Sequence, residues 1–242
     1  MKGFLRKIIS VMGMLAAAGA GASGPELPAF SGMQPGEAIT GWQSLKPAPQ
    51  ANDTRYSLTS DAGVTVLKAE SNNAMSGLTH PVRVDLRQTP RLRWRWKINA
   101  PIGTADMARK SGDDYAVRIY VLFDYPADKL SFATRAKLKL AEALYGQQIP
   151  TAALNYVWDN RYPVGTIRPN AYTDRARMVV LESGSARAGE WVTETRDLAA
   201  DFRAAFGEDA PDVVGVALAT DTDNTGESTV AWYGDIVFLP AK

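Results

Sequence analysis

The most regular stretch of the chain is Leu92-Arg93-Trp94-Arg95-Trp96-Lys97-Ile98, in which apolar and basic residues alternate without a break. A period of two sends successive side chains to opposite faces of a strand. Leu92, Trp94, Trp96 and Ile98 therefore share one side, and Arg93, Arg95 and Lys97 the other. The run 115–124 alternates in the same way, with Tyr115, Val117, Ile119, Val121 and Phe123 on one side and Arg118 and Tyr120 on the other. If the two strands are neighbours, their polar sides make one basic, aromatic face. Further strands are expected near Trp42, at 56–58 and 64–71 about a hairpin turn at Asp61-Ala62-Gly63, at 78–85 with Pro81 marking an edge or a bend, and at 154–158 and 177–182.

Two stretches change period. Leu130, Phe132, Ala133, Ala136, Leu140, Ala141 and Leu144 recur at helical spacing and stop at Gly146; Phe202 and Phe206 lie four apart in a segment closed by Gly207. Many short strands with only two helices predict an all-β chain, a single jelly-roll-like β-sandwich with helical insertions at about 131–146 and 198–206. Its expected core includes Trp94, Trp96, Val117, Ile119, Val121, Val216, Leu218, Trp232 and Ile236.

The amino end departs from this pattern. Lys2, Arg6 and Lys7 precede an apolar run over 8–18 and the small-residue stretch Ala20-Gly21-Ala22, the order of a secretory signal and too short for a membrane span. Residues 1–22 are thus expected to be a signal peptide, 23–40 a flexible tether and 41–242 the sandwich domain, and the protein to be periplasmic or secreted, with no transmembrane segment after cleavage. Loss of residues 1–22 moves the formal charge from +1 to +1 − 3 = −2, which leaves no basic field for nucleic acid. The chain has no cysteine, excluding disulfides, thiolate metal sites and thiol catalysis.

Candidate chemistry gathers near the carboxyl end, where strands expected at 213–220 and 229–239 flank Asp221, Asp223, Asn224, Gly226 and Glu227. Asp221-Thr222-Asp223-Asn224-Thr225-Gly226 imitates the opening of a calcium loop, with Asp221 and Asp223 as ligands, but its twelfth position is Trp232 rather than a bidentate acid. The alternative is a turn in which these side chains satisfy backbone groups. If 230–238 is one strand, Val230, Trp232, Gly234, Ile236 and Phe238 share one side, leaving Tyr233 and Asp235 on the other. With Arg93, Arg95, Lys97, Arg118 and Tyr120 they would form a polar surface with aromatic platforms, suited to stacking a sugar ring and pairing an acidic substituent. No catalytic residue is assigned, since the sequence gives no separation between carboxylates.

The segments GDDYAVRIYVLFD (112–124), LNYVW (154–158), RMVVLESG (177–184), DFRAAFGE (201–208) and TDTDNTGESTVAWYGDI (220–236) resemble the bacterial family known as domain of unknown function 3047. That resemblance implies an exported β-sandwich and carries no established activity. Trp232-Tyr233-Gly234-Asp235-Ile236 is also similar to the closing strand of galactose-binding-like jelly rolls in carbohydrate-binding modules, which implies sugar binding and a structural calcium. The expected function is binding of a carbohydrate or cell-envelope polymer. The alternatives are a polysaccharide-cleaving enzyme using paired carboxylates or a metal, and a structural envelope-interaction protein.

Overall fold

The two alternating runs become strands of two different sheets. The computed structural model of the protein describes residues 25–46, 50–126, 128 and 151–241; the expected signal peptide and the expected helix at 131–146 lie outside these. The first sheet has the order β1 (Gln43–Leu45), β4 (Met75–Val84), β11 (Val213–Asp221), β6 (Tyr115–Phe123), β7 (Ala152–Asp159), β9 (Thr173–Ser183), β8 (Ile167–Asn170). The second has the order β10 (Val192–Asp197), β5 (Arg91–Ile98), β12 (Ser228–Tyr233), β3 (Val64–Asn72), β2 (Arg55–Asp61), and β13 (Val237–Leu239) pairs with β5. Neighbouring strands are antiparallel except β7 and β9. The hairpin β2–β3 turns where expected, through Ala62 (φ 50°) and Gly63 (φ 79°). Two positive φ values in succession give the twist that joins antiparallel strands in two residues.

The apolar side of β5, Leu92, Trp94, Trp96 and Ile98, meets the apolar side of β6, Val117, Ile119, Val121 and Phe123, in one buried core between the sheets. Trp94 and Trp96 pack edge to face with centroids 5.4 Å apart, and Trp94 lies 5.2 Å from the Tyr156 ring. This arrangement corrects the expectation that β5 and β6 are neighbours. Strands that face each other across a core point their other sides in opposite directions, so Arg93, Arg95 and Lys97 leave one face of the sandwich while Arg118 and Tyr120 leave the other.

Helix α1 (Leu198–Phe206) spans the residues its spacing predicts. Asp197 caps it by accepting from Ala200 N at 2.9 Å, and Phe202 is buried against Phe123 and Phe206, at 4.7 and 4.5 Å between centroids. The stretch expected to be a flexible tether is held on the sandwich: Phe30 is fully buried and stacks on Trp42 at 5.4 Å, and Leu27, Met33 and Ile39 pack against the same core.

A second correction concerns the chain end. Trp232 is only partly buried, whereas Tyr233 is fully buried. Strand β12 ends at Tyr233 and pairing resumes only at Val237, so the alternation does not run through the break. Ala231 and Tyr233 face inward before it, and Ile236 and Phe238 after it. Tyr233 is stable there because its hydroxyl reaches the opposite sheet, donating to Ala219 O at 2.6 Å and lying 2.9 Å from Thr220 Oγ1. A buried phenol needs such a partner.

Candidate functional site

Strand β6 is buried along its whole length, and Arg118 is its one charged residue. The register of β11 against β6 shifts between Ala219 and Asp221, so that Asp221 pairs with Tyr115 and Ala219 with Arg118. Such a bulge re-aims side chains next to it. Here it brings Tyr115, Arg118 and Asp221 to the same outer side of the first sheet, which corrects the expectation that Tyr115 shares the inner side with Val117.

Four of the five N–H donors of the Arg118 guanidinium are engaged. Nε donates to Asp221 Oδ1 at 2.9 Å, Nη2 to Asp221 Oδ2 and to Asp113 O at 2.9 Å, and Nη1 to Tyr120 Oη at 2.8 Å. Asp221 Oδ1 also accepts from Tyr115 N at 3.2 Å. Both side chains of the pair are withdrawn from solvent, 2% and 1% exposed, and this fork-on-fork contact is the geometry that suits a buried ion pair. Burial pushes the Asp221 carboxyl well above the usual carboxylate range, with Asp114 and Asp113 adding to the rise and Arg118 opposing it. Desolvation works against the guanidinium charge, but Asp221, Tyr120 and Asp113 outweigh it and hold Arg118 a cation.

The loop after β11 is tied to the same place. Asp114 accepts from Asn224 N (3.0 Å), Thr225 N (2.7 Å) and Asn224 Nδ2 (2.9 Å), so one carboxylate fixes three donors of the turn. Tyr172 Oη reaches Asn224 Oδ1 at 3.2 Å and donates to Lys110 O at 2.9 Å, and Asn170 Nδ2 reaches both Asp113 oxygens at 3.3 Å. Glu227 at the far end of the loop clasps Thr104 N at 2.8 Å, Thr104 Oγ1 at 2.6 Å and Gly103 N at 3.1 Å.

Beside this network lies a cleft of about 60 Å³ that opens to solvent. Its floor is apolar, from Met75, Leu122, Ala153 and Ala176, and its rim carries Asp113, Tyr120, Asn170, Tyr172, Asp223 and Asn224. Of the residues expected to bind ligand, Arg118 and Tyr120 lie here. Arg93, Arg95, Lys97 and Asp235 lie on the opposite side of the sandwich, and Tyr233 stands in the core between. Asn170 and Tyr172 carried no signal in the sequence, being isolated polar residues at the end of one short strand and in the turn that follows it; Asp113-Asp114 stood out as adjacent acids ahead of an apolar strand.

Asp114, Asp221 and Asp223 each bring a carboxylate oxygen within 4.8 Å of the others. Their donors do not fit calcium, however, since Arg118 already holds both oxygens of Asp221 and the loop's own N–H groups hold Asp114. A calcium ion needs six to eight free oxygens. The melting temperature is therefore expected to be the same in EDTA and in millimolar calcium; a rise with calcium would show the cluster to be a metal site.

A sequence profile of the family described as "Protein of unknown function (DUF3047)" matches residues 40–237. No curated protein sequence matches the chain. Among solved structures, the xyloglucanase domain of NopAA, a type three effector from Sinorhizobium fredii, in complex with cellobiose is similar at 9% identity and TM-score 0.43, over 85% of this chain and 95% of that one. The carbohydrate recognition domain of Emp47p is similar at 14% identity and TM-score 0.43, over 93% and 100%. The arabinose-bound MgGH51 α-L-arabinofuranosidase is similar at 11% identity and TM-score 0.43, over 89% of this chain, which spans only 26% of that enzyme.

Proposed function

The chain belongs to the DUF3047 family, whose description gives no activity, and from the geometry of its cleft we propose that it binds a carbohydrate of the cell envelope or its surroundings. The observation that carries this reading is the composition of the cavity: an apolar floor of Met75, Leu122, Ala153 and Ala176 beneath a rim rich in oxygen acceptors and two tyrosines. A sugar presents the matching surface, C–H groups on the faces of its ring and hydroxyls around its edge. The ring would lie on the floor and against Tyr120 and Tyr172, while its hydroxyls meet Asp113, Asn170 and Asn224. A few fixed polar groups on an apolar base give orientation as well as affinity. The excess of acids over bases at the rim favours a neutral sugar here. Export directed by residues 1–22 would place the protein among such polymers, periplasmic or secreted.

The geometry favours binding without turnover. A general acid must be reachable, and Asp221, a carboxyl of the cleft that burial raises, is closed off by Arg118. The test is a glycan array followed by titration calorimetry with the neutral oligosaccharide retained best. Asn170→Ala and Tyr172→Ala are each expected to weaken binding about tenfold, the loss of roughly 1.4 kcal/mol. New reducing ends after incubation would assign cleavage instead, and no retention of any glycan would leave a structural role in the envelope.

A further inference from the structure

The outer face of the second sheet holds a separate feature, a groove of about 560 Å³ lined by Ser31, Thr65, Arg93, Arg95, Thr193 and Asp235. The cations around it are of two kinds. Lys97 is paired with Asp61, Lys68 with Glu70 at 3.0 Å, and Arg55 with Glu70. Arg93 and Arg95 form no ion pair with any described residue. They stand two apart on one strand and on one face, about 6.6 Å along β5. Asp235, the acid within the groove, is held by Ser31, whose N donates at 2.9 Å and whose Oγ lies 2.5 Å away.

Arg95 is also held in place. Its guanidinium lies 4.4 Å from the centre of the Trp191 ring, and its stem crosses Gly234, where a Cβ would stand 2.5 Å from Arg95 Cγ and 2.7 Å from Nε. Gly234 has no positive φ that would require glycine; the missing side chain makes room for the arginine. A solvated face does not need a guanidinium held over an indole with no acid in direct contact, Asp61 acting on it only from a distance. Such pre-arrangement lowers the cost of binding an anion. Two of the exposed apolar side chains, Val64 and Val237, stand at the groove's edge, beside the hydroxyls of Ser31, Thr65 and Thr193.

We propose that this groove is a carboxylate-binding subsite for an acidic polysaccharide, separate from the cleft on the other face. Arg93 and Arg95 fork the carboxylates carried on the sugar rings, the valines meet the ring C–H edges, and the threonines and Ser31 exchange hydrogen bonds with ring hydroxyls. Hydroxyls interleaved with small apolar side chains in a walled groove match a sugar chain better than a lipid surface, which would require a flat or protruding apolar patch.

The probe is an oligogalacturonide, compared with its methyl ester, which keeps the rings and removes the charge. The parent protein is expected to bind the free acid at least tenfold more tightly than the ester, with an affinity that falls as salt rises. Arg93→Gln/Arg95→Gln should abolish that preference. Gly234→Ala retains both charges but pushes Arg95 off Trp191, and should lose most of the preference while the melting temperature stays within a few degrees of the parent. Arg55→Gln, which removes a positive charge elsewhere on the sheet, should leave it intact. The proposal is overturned if acid and ester bind alike, if the double variant binds the acid as the parent does, or if vesicles of anionic lipid bind more tightly than the oligogalacturonide with the same dependence on Arg93 and Arg95. Because neutral sugars report on the cleft and the acid–ester difference on the groove, either site can fail without the other.

Discussion

Arg118→Ala is expected to destabilise the protein by about 3–5 kcal/mol, the cost of leaving a buried charge without its partner. For a chain of this size that lowers the melting temperature by roughly 10 °C. The orphan is Asp221, 1% exposed, with Asp113 and Asp114 close enough to repel it. Asp221 could escape only by taking up a proton, and this sets the pH dependence. Its folded pKa is already raised by burial and would rise further without Arg118. A carboxyl raised in the folded state keeps its full stability below the unfolded pKa and loses it as pH rises through the folded one. The deficit of the variant should therefore be small near pH 4 and grow toward pH 8. Arg118→Lys keeps the charge but not the fork and should recover part of the loss. Arg118→Met combined with Asp221→Asn removes both charges and should be milder than Arg118→Ala alone. Thermal melts of the four proteins at both pH values decide the matter: a deficit for Arg118→Ala that does not depend on pH would mean that Asp221 is not the group left exposed to the cost.

The same pair shows what the sequence could and could not say. Period-two alternation identified which side of β5 and, beyond Tyr115 at its start, of β6 faces the core, because that depends only on residues next to one another. It could not say which strand lies beside which, and in a sandwich the two most regular strands face each other instead of pairing. One polar surface therefore became two, Arg93, Arg95 and Lys97 on one side and Arg118 and Tyr120 on the other. The partners of Arg118 were hidden for a related reason: Asp221 is 103 residues away, and a bulge rather than a motif aligns them. A clue was present in the lone arginine of an otherwise uncharged nine-residue strand, which has to find an acid once that strand is central. The loop's oxygen-rich composition was legible, but its chemistry was not, since Asp114 and Glu227 take up N–H groups from residues more than 100 positions away in the chain.

Trp96→Ala and Trp232→Ala together test the facing of the second sheet. Trp96 is fully buried, in edge contact with Trp94, and its truncation is expected to cost about 3–5 kcal/mol through lost burial and the cavity left behind. Trp232 lies on the outer side, where the Lys97 ammonium sits 4.6 Å from its ring centre. Removing it forfeits a cation–π contact and partial burial, about 1 kcal/mol. Had β12 continued unbroken to Phe238 with Trp232 inward, the two costs would be alike, and Tyr233→Phe would change nothing. With Tyr233 inward, its hydroxyl joins the sheets through Ala219 O and Thr220 Oγ1, so Tyr233→Phe should cost about 1–3 kcal/mol by leaving those groups short of a partner. Trp96→Phe, which keeps an aromatic ring in the core, provides a folded protein for comparison should the alanine variant not accumulate. Equal melting temperatures for Trp96→Ala and Trp232→Ala would contradict the assigned facing of β5 and β12, and with it the placement of Arg93 and Arg95 on the outer surface.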